Sequence, residues 1–199
     1  MSPPLHTTMR CLEIGPGKRR VSGFETLDVI KRKNVDHVGN ARKLPFADNT
    51  FHVVYASHIL EHIPWMHTQA TVNEWTRVVA PGGALEIWVP DALKIARAFV
   101  EAEDEATVYG PRRQVESIIT DPVWHYNADH DPCPWFCSRT FAWYHKSMKQ
   151  HSYHRSAFTV RYLTLVMERA GLTVRQMDIS EMRLPAHMWI GMGCCGVKC

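Results

Sequence analysis

Near the amino terminus, the stretch Met9-Arg10-Cys11-Leu12-Glu13-Ile14-Gly15-Pro16-Gly17 decides the fold. It predicts a short buried strand that ends at an acid and continues into a tight glycine turn. Gly15 and Gly17 lack a Cβ atom, so the turn can adopt backbone angles closed to other residues and a ligand can approach it closely. Glu13 would then lie at the carboxyl edge of a sheet, where open α/β folds bind ligands. Because Gly-x-Gly is also common in plain turns, the interpretation depends on the strands and acids further along the chain.

Length and composition fit one globular domain over residues 1–199. The chain is 45% hydrophobic and 22% charged, and its formal net charge of +3 is too small to indicate a nucleic-acid partner. No apolar run approaches the length of a membrane span, and Met1-Ser2-Pro3-Pro4 does not resemble a signal peptide. We therefore expect a cytoplasmic protein that does not engage a membrane.

Three further strands follow the glycine turn. Residues 24–29 predict a second strand, and an acid at the end of that strand, here Asp28, accepts hydrogen bonds from ribose hydroxyls in nucleotide-binding sheets. Residues 35–39 predict a third strand, followed by Asn40. Residues 51–58 predict a fourth, which is rich in β-branched and aromatic side chains.

The rest of the chain alternates between helix and strand, which favours a parallel sheet covered by helices. We first expect a helix over 68–80 stopped by Pro81-Gly82-Gly83, a strand over 84–89 and a helix over 92–100 capped by Asp91. An irregular insertion follows over about 107–150, and then a helix capped by Ser156 and closed by Gly171. The chain ends with strands over 172–179 and 187–192 and a cysteine-rich tail over about 193–199.

Four motifs in this order resemble class I S-adenosylmethionine-dependent methyltransferases, most closely the compact type 11 group. The motifs are Leu12-Glu13-Ile14-Gly15-Pro16-Gly17, the segment 44–58 beginning Leu44-Pro45-Phe46, Leu60-Glu61-His62, and Arg77-Val78-Val79-Ala80-Pro81-Gly82-Gly83. The segment His154-Arg155-Ser156-Ala157-Phe158 also resembles that group. The similarity covers residues 10–91 well and 156–179 moderately.

The resemblance implies a Rossmann-like, mostly parallel seven-stranded sheet. Its last strand would be antiparallel, helices would lie on both faces, and the insertion would precede the last helix. The family usually has a third glycine and a full helix between the first two strands. Here Lys18-Arg19-Arg20 and a short polar segment occupy that place.

The resemblance also implies S-adenosylmethionine as cofactor and assigns its binding residues. Glu13, Gly15 and Gly17 would surround the amino-acid part. Asp28 would bind the ribose hydroxyls, Asn40 and Ala41 would contact the adenine, and Tyr55, Ala56, Ser57 and His58 would lie beside the sulfonium.

Methyl transfer from a sulfonium is an in-line displacement, so the protein mainly positions the two reactants. A base is needed only if the acceptor must lose a proton. The candidates at this edge are His58 and His62, with Tyr55 and the insertion histidines as alternatives, and the sequence does not choose among them. The insertion histidines are His125, His130 and His145.

We expect the acceptor to be a small molecule or a glycan-linked group that enters beneath the insertion. No Asn-Pro-Pro-aromatic tetrad follows the fourth strand. Under the resemblance, this absence disfavours the amino groups of nucleic-acid bases as sites of methylation. Two alternatives stay open. One is a non-catalytic module that binds the cofactor, and the other is an RNA or protein methyltransferase that uses the basic runs 18–20 and 31–33.

No resident metal is expected from the sequence. His58-Ile59-Leu60-Glu61-His62 fits an inverted zinc-protease pattern, but His58 ends a strand and Pro64 interrupts the segment after it, so the two histidines would not share one helix. Cys133 and Cys137, with His125 and His130 nearby, lack the usual zinc spacing, and buried thiols are the simpler interpretation. Trp124, Trp135 and Trp143 fit an acceptor pocket and a packed core equally well.

Overall fold

A computed structural model of the protein describes residues 9–104, 116–120, 131–141, 153–184 and 190–199. Its centre is a seven-stranded sheet in the order β3-β2-β1-β4-β5-β7-β6. The strands are β1 (Cys11–Ile14), β2 (Glu25–Asp28), β3 (His37–Val38), β4 (Phe51–Ser57), β5 (Val79–Pro90), β6 (Leu172–Met177) and β7 (Gly191–Lys198). β1 to β5 run parallel to one another, and β7 is antiparallel to both β5 and β6. The predicted Rossmann-like, mostly parallel sheet with an antiparallel last strand is confirmed.

Five α-helices are assigned within the described residues. They are α1 (Thr68–Val78), α2 (Ala92–Asp104), α3 (Glu116–Ile119), α4 (Pro132–Thr140) and α5 (Val160–Arg169). None of them is long and apolar enough to cross a bilayer. Asp91 caps α2 as predicted, because its Oδ1 accepts hydrogen bonds from the amides of Leu93 and Lys94 at 3.0 and 3.2 Å.

The two faces of the sheet are covered differently. On one face, α1 and α5 contribute Trp75 and Leu163 to the main core. On the other face, the cluster is built around Tyr55 and Trp88, and none of its members among the described residues belongs to an α-helix. The cause lies in the connections, because residues 15–24 and 29–36 are too few for the helical crossovers that usually join parallel strands.

The chain reverses direction across the sheet between β1 and β4. β2 and β3 extend to one side of β1, and β4 and β5 lie on the other. Such a switch point leaves a crevice at the carboxyl ends of the two central strands, which is where open α/β sheets bind ligands.

The cysteine-rich segment forms the last strand, so the expected tail is wrong. β7 begins at Gly191, and Cys194 and Cys195 are buried between β5 and β6. The two glycines are required by packing, because a Cβ on Gly193 would lie 2.6 Å from Trp88 and one on Gly196 would lie 2.8 Å from Leu172. These small residues lack the β-branched signature of a strand, so the sequence pattern points to 187–192 instead.

Two further sequence expectations need correction. α5 is capped by Thr159, whose side chain accepts from the amide of Tyr162, whereas the Ser156 hydroxyl bonds the carbonyl of Ile63 at 2.9 Å. The insertion is not irregular throughout, since α3 and α4 lie within it. α4 has Asp131 at its N-cap and Pro132 just inside, a pairing typical of helix starts.

Lys198, near the end of β7, anchors that strand to α1. Its Nζ donates to the carbonyls of Thr76 and Val79 and to the side-chain oxygen of Asn49 at 3.0, 2.8 and 2.8 Å. A cation at the carboxyl end of a helix also interacts favourably with the unpaired carbonyls there.

Replacing Lys198 with Met should therefore lower the free energy of unfolding by roughly 1.5–3 kcal/mol, because a charge-assisted hydrogen-bond network is lost. Chemical denaturation measures the change. Lys94→Met, at an exposed position on α2, should change stability by less than about 0.5 kcal/mol. Equal effects of the two variants would contradict this role of Lys198.

Candidate functional site

A cleft of about 980 Å³ opens at the carboxyl ends of β1, β2 and β4. With the exception of Ala56, the site residues predicted for this edge line it. These are Glu13, Gly15, Gly17, Asp28, Asn40, Ala41, Tyr55, Ser57, His58 and His62. The volume suits a small organic ligand or cofactor.

The glycine turn brings bare backbone to the floor of the cleft. Gly15 has φ +71° and Gly17 has φ +60°, both in the left-handed region. A Cβ on Gly15 would lie 1.9 Å from the Cδ1 of Ile59, so this position also needs the absence of a side chain. Asn34 holds the turn by donating from Nδ2 to the carbonyl of Gly17 at 3.2 Å.

Glu13 is a buried carboxylate beside the turn. Its Oε2 accepts from the amide of Val21 at 2.7 Å. Burial raises the pKa of Glu13, while the Val21 bond and the charge of Arg20 act in the opposite direction. Glu13 therefore organises the β1–β2 connection, which has no helix, and also lines the cleft.

Asp28 ends β2 and already has partners. Its Oδ1 accepts from the amide of Ile30 at 2.8 Å, and its Oδ2 accepts from Arg32 at 2.7 Å. Arg32 lines the same cleft. A ligand hydroxyl would thus meet a carboxylate that a guanidinium holds in place.

Asn40 and Ala41 stand at the far side of the cleft. Asn40 is exposed, and its Oδ1 accepts from the amide of Arg42 at 2.9 Å. The carbonyl of Ala41 accepts from the indole Nε1 of Trp75 at 2.8 Å, which ties this wall to α1.

The end of β4 supplies Tyr55, Ser57 and His58. Tyr55 is fully buried, and burial raises the pKa of its phenol. Ala56 points the other way into the main core. His58 has φ +55°, which is rare for a residue with a side chain and typical of functional sites.

A cluster of imidazoles surrounds Glu61, which is only 2% exposed. Its Oε1 lies 3.1 Å from the Nδ1 of His58, and the rings of His62 and His154 lie 5.1 Å apart. Burial alone would raise the pKa of Glu61, but the bond with His58 and the nearby imidazoles hold it below its ordinary value. Burial lowers the pKa of His154. His58 and His62 do not share a helix, because Leu60–His62 is a 3-10 turn that follows the left-handed His58.

Sequence reasoning missed several cations on the cleft wall. Lys18, Arg19, Arg32, Arg42 and Arg155 all line it. Two basic runs and the segment 154–158 were visible in the sequence, but nothing in their spacing placed them at a single cleft. Glu61 stood out only for its motif, and no local signal showed that His154 would reach it.

The remaining sequence candidates are not among the described residues that line the cleft. His125, His130, His145, Trp124 and Trp143 fall outside the described residues. Cys133 and Cys137 are exposed on α4, whereas Trp135 is buried in a core with Ile95 and Ile118. The structure thus assigns Trp135 to packing.

Comparison with known proteins gives one family match. Residues 23–87 match the family Methyltransf_11, described as a methyltransferase domain. Demethylmenaquinone methyltransferases of Bacillus cereus (strain B4264) and Bacillus anthracis (strain A0248) are each 41% identical over 83 residues, which make up 39% of this chain and 34% of the relative. The matched segment thus spans about a third of these curated relatives.

Solved structures share the fold over nearly the whole chain. The PH0226 protein from Pyrococcus horikoshii OT3 has a TM-score of 0.55 at 14% identity, covering 98% of this chain and 84% of that one. The 1,6-didemethyltoxoflavin-N1-methyltransferase of Burkholderia thailandensis has a TM-score of 0.54 at 11% identity, covering 94% and 70%. At such identities the likeness establishes the fold alone. The family match over residues 23–87 agrees with the resemblance identified in the motifs.

The tight contact between Gly15 and Ile59 can be tested directly. Gly15→Ala should lower the free energy of unfolding by about 1–2 kcal/mol for the left-handed backbone and by roughly 1–3 kcal/mol more for the clash. Gly17→Ala shares the positive φ, but its Cβ would meet no atom within 4 Å. It should therefore lower the free energy of unfolding only by the backbone contribution. Chemical denaturation of both variants measures the difference.

A double-mutant cycle isolates the clash. Ile59→Ala removes the atoms that Gly15→Ala would meet, so the double variant should be more stable than additivity predicts by about 1 kcal/mol or more. Strict additivity would mean that Gly15 and Ile59 do not make this contact.

Proposed function

We propose that this chain, which has the fold of class I methyltransferases and matches the methyltransferase domain model over residues 23–87, transfers a methyl group from S-adenosylmethionine to a small-molecule or glycan-linked acceptor. One observation carries the proposal. The residues that the motifs assign to the cofactor, although far apart in sequence, line one cleft at the switch point of the sheet. If the motif matches had arisen by chance, these residues would not be expected to meet at one cleft.

The cleft residues fit the cofactor that the family implies. Gly15 and Gly17 line the cleft without side chains, so their backbone groups are open to the methionine part of the cofactor. Glu13 would accept from the amino group of the methionine part, Asp28 would accept from the ribose hydroxyls, and Asn40 would face the adenine. When bound, the cofactor would supply an electrophilic methyl carbon, and its carbon–sulfur bond would break as the acceptor bonds to that carbon, releasing S-adenosylhomocysteine.

The protein's own contribution is orientation and proton removal. His58 lies at the end of β4 beside Ser57 and is held at Nδ1 by Glu61. We assign the His58 imidazole as the base that takes a proton from an acceptor hydroxyl or amine, with Glu61 as its positioning residue. His62, the other candidate base from the sequence, lines the same wall.

The acceptor class is supported by two features. The matched relatives are named for demethylmenaquinone, and a structural neighbour is named for 1,6-didemethyltoxoflavin, both small molecules. The basic runs present less unpaired positive charge to RNA than the sequence suggested, because Arg20 pairs with Asp36 and Arg32 pairs with Asp28. These pairs weaken the RNA alternative.

Cofactor binding provides the first test. Calorimetric titration with S-adenosylhomocysteine should show one site per chain. Asp28→Asn should weaken binding about 10- to 100-fold, because a hydrogen bond to a charged acceptor is worth ~1.5–3 kcal/mol. Asp48→Asn is a matched control, since Asp48 also pairs with an arginine at 2.7 Å but is absent from the cleft lining. Equal affinity in wild type and Asp28→Asn would remove Asp28 from the site.

Methyl transfer itself is tested with a labelled methyl donor. Incubation with a cell extract should place label in the small-molecule or glycan fraction, whereas label in RNA or protein would favour the other alternative. His58→Gln should reduce incorporation at least about 100-fold, in line with general-base catalysis, while binding S-adenosylhomocysteine within about threefold of wild type. Tight cofactor binding with no labelled acceptor in any fraction would favour the non-catalytic module.

A further inference from the structure

The residues around Glu61 form a group with the composition of a metal site. One ligand atom each from Glu61, His62 and His154 lies within 4.8 Å of the others. His62 and Glu61 are neighbours in the chain, while His154 comes from a distant segment. Two imidazoles and one carboxylate are a donor set that zinc uses in catalytic sites.

Glu61 presents an oxygen that lacks a hydrogen-bond partner. Oε1 accepts from His58, but Oε2 is buried and has no hydrogen bond. An unsatisfied buried carboxylate oxygen is costly, because it has lost its water without gaining a donor or a cation. The same carboxylate belongs to the group with the two imidazoles.

Backbone carbonyls orient both histidines. The Nδ1 of His62 lies 3.2 Å from the carbonyl of Tyr153. His154 makes a hydrogen bond to the backbone of Arg139. When one ring nitrogen donates to a carbonyl, the other keeps its lone pair for a metal, and this arrangement is usual for metal-bound histidines.

The two segments that carry the ligands are already fastened together. The carbonyl of Glu61 accepts from the amides of Arg155 and Ser156 at 2.7 and 3.2 Å. The hydroxyl of Ser156 adds a bond to Ile63. Little rearrangement is therefore needed to bring His154 toward the 60–62 turn, which lowers the entropic cost of binding an ion.

We propose that Glu61, His62 and His154 bind one divalent transition-metal ion of the zinc class at the wall of the cleft. Three protein ligands leave a fourth position for water or for an acceptor oxygen or nitrogen. The site differs from the inverted zinc-protease pattern, because His154 replaces His58 as the second imidazole and His58 stays with Oε1 of Glu61. The proposal does not require that the chain transfer methyl groups.

Cobalt provides a direct test, since bound Co²⁺ absorbs visible light and reports its ligands. The full chain, freed of any affinity tag and stripped of metal, is titrated with Co²⁺ and then with Zn²⁺. We expect one Co²⁺ per chain, a spectrum of nitrogen and oxygen ligands, and displacement by Zn²⁺. Binding of less than one ion per chain, or a thiolate band from cysteine ligands, would overturn the assignment.

Variants identify the ligands. His154→Gln and Glu61→Gln should each weaken Co²⁺ binding at least about tenfold. His67→Gln should leave it unchanged, because His67 lies in the next turn, Trp65–His67, and outside the group. If a ligand variant fails to fold, the stoichiometry and spectrum of the wild-type chain still decide the question. Titration with S-adenosylhomocysteine is scored separately, so loss of the metal site and loss of the proposed function give different results.

Discussion

The contact between the turn after β1 and the loop after β4 is the constraint on which the site depends. Gly15 lies so close to Ile59 that no side chain fits between them. The amide of Gly15 also donates to the carbonyl of Leu27 at 2.8 Å, which extends the ladder between β1 and β2. The glycine turn, the end of β2 and the start of the His58 loop are therefore fixed relative to one another.

Hydrogen bonds from polar side chains hold the connection between β1 and β2, where the usual version of this sheet has a helix. With no helix between β1 and β2, Glu13 holds the amide of Val21, and Asp36 bonds both Arg20 and the Thr26 amide. The bond with Arg20 is the main cause that lowers the pKa of Asp36. This end of the cleft is thus organised by hydrogen bonds and charge more than by apolar packing, and much of that network is exposed to solvent.

The sequence was sufficient for the fold and for the grouping of the site residues, because these depend on local patterns. The glycine turn, the acid at the end of β2 and the β-branched fourth strand each carry a recognisable signature, and parallel strands bring their carboxyl ends to one edge. The position of β7 was predicted wrongly because its glycines are required by close packing against Trp88 and Leu172, which are distant in sequence. Ser156 looked like a helix cap, yet its hydroxyl serves the 60–63 turn across the fold. His154 illustrates the same limit, since its relation to Glu61 arises only from tertiary packing.

The two ends of the segment 92–158 are held together at the edge of the sheet. The amide of Ala92 donates to the carbonyl of Phe158 at 2.9 Å, and Asp91 forms a parallel bridge with Phe158. Residues 92–158 therefore leave and rejoin the core at one point, beside the carboxyl end of β5. Closing such a loop costs only slowly more as it lengthens, so its sequence can change without disturbing the sheet. The returning segment, however, delivers His154 and Ser156 to the 60–63 turn. A change between residues 92 and 153 is consequently compatible with the sheet, provided that the segment still ends by placing these two residues against that turn.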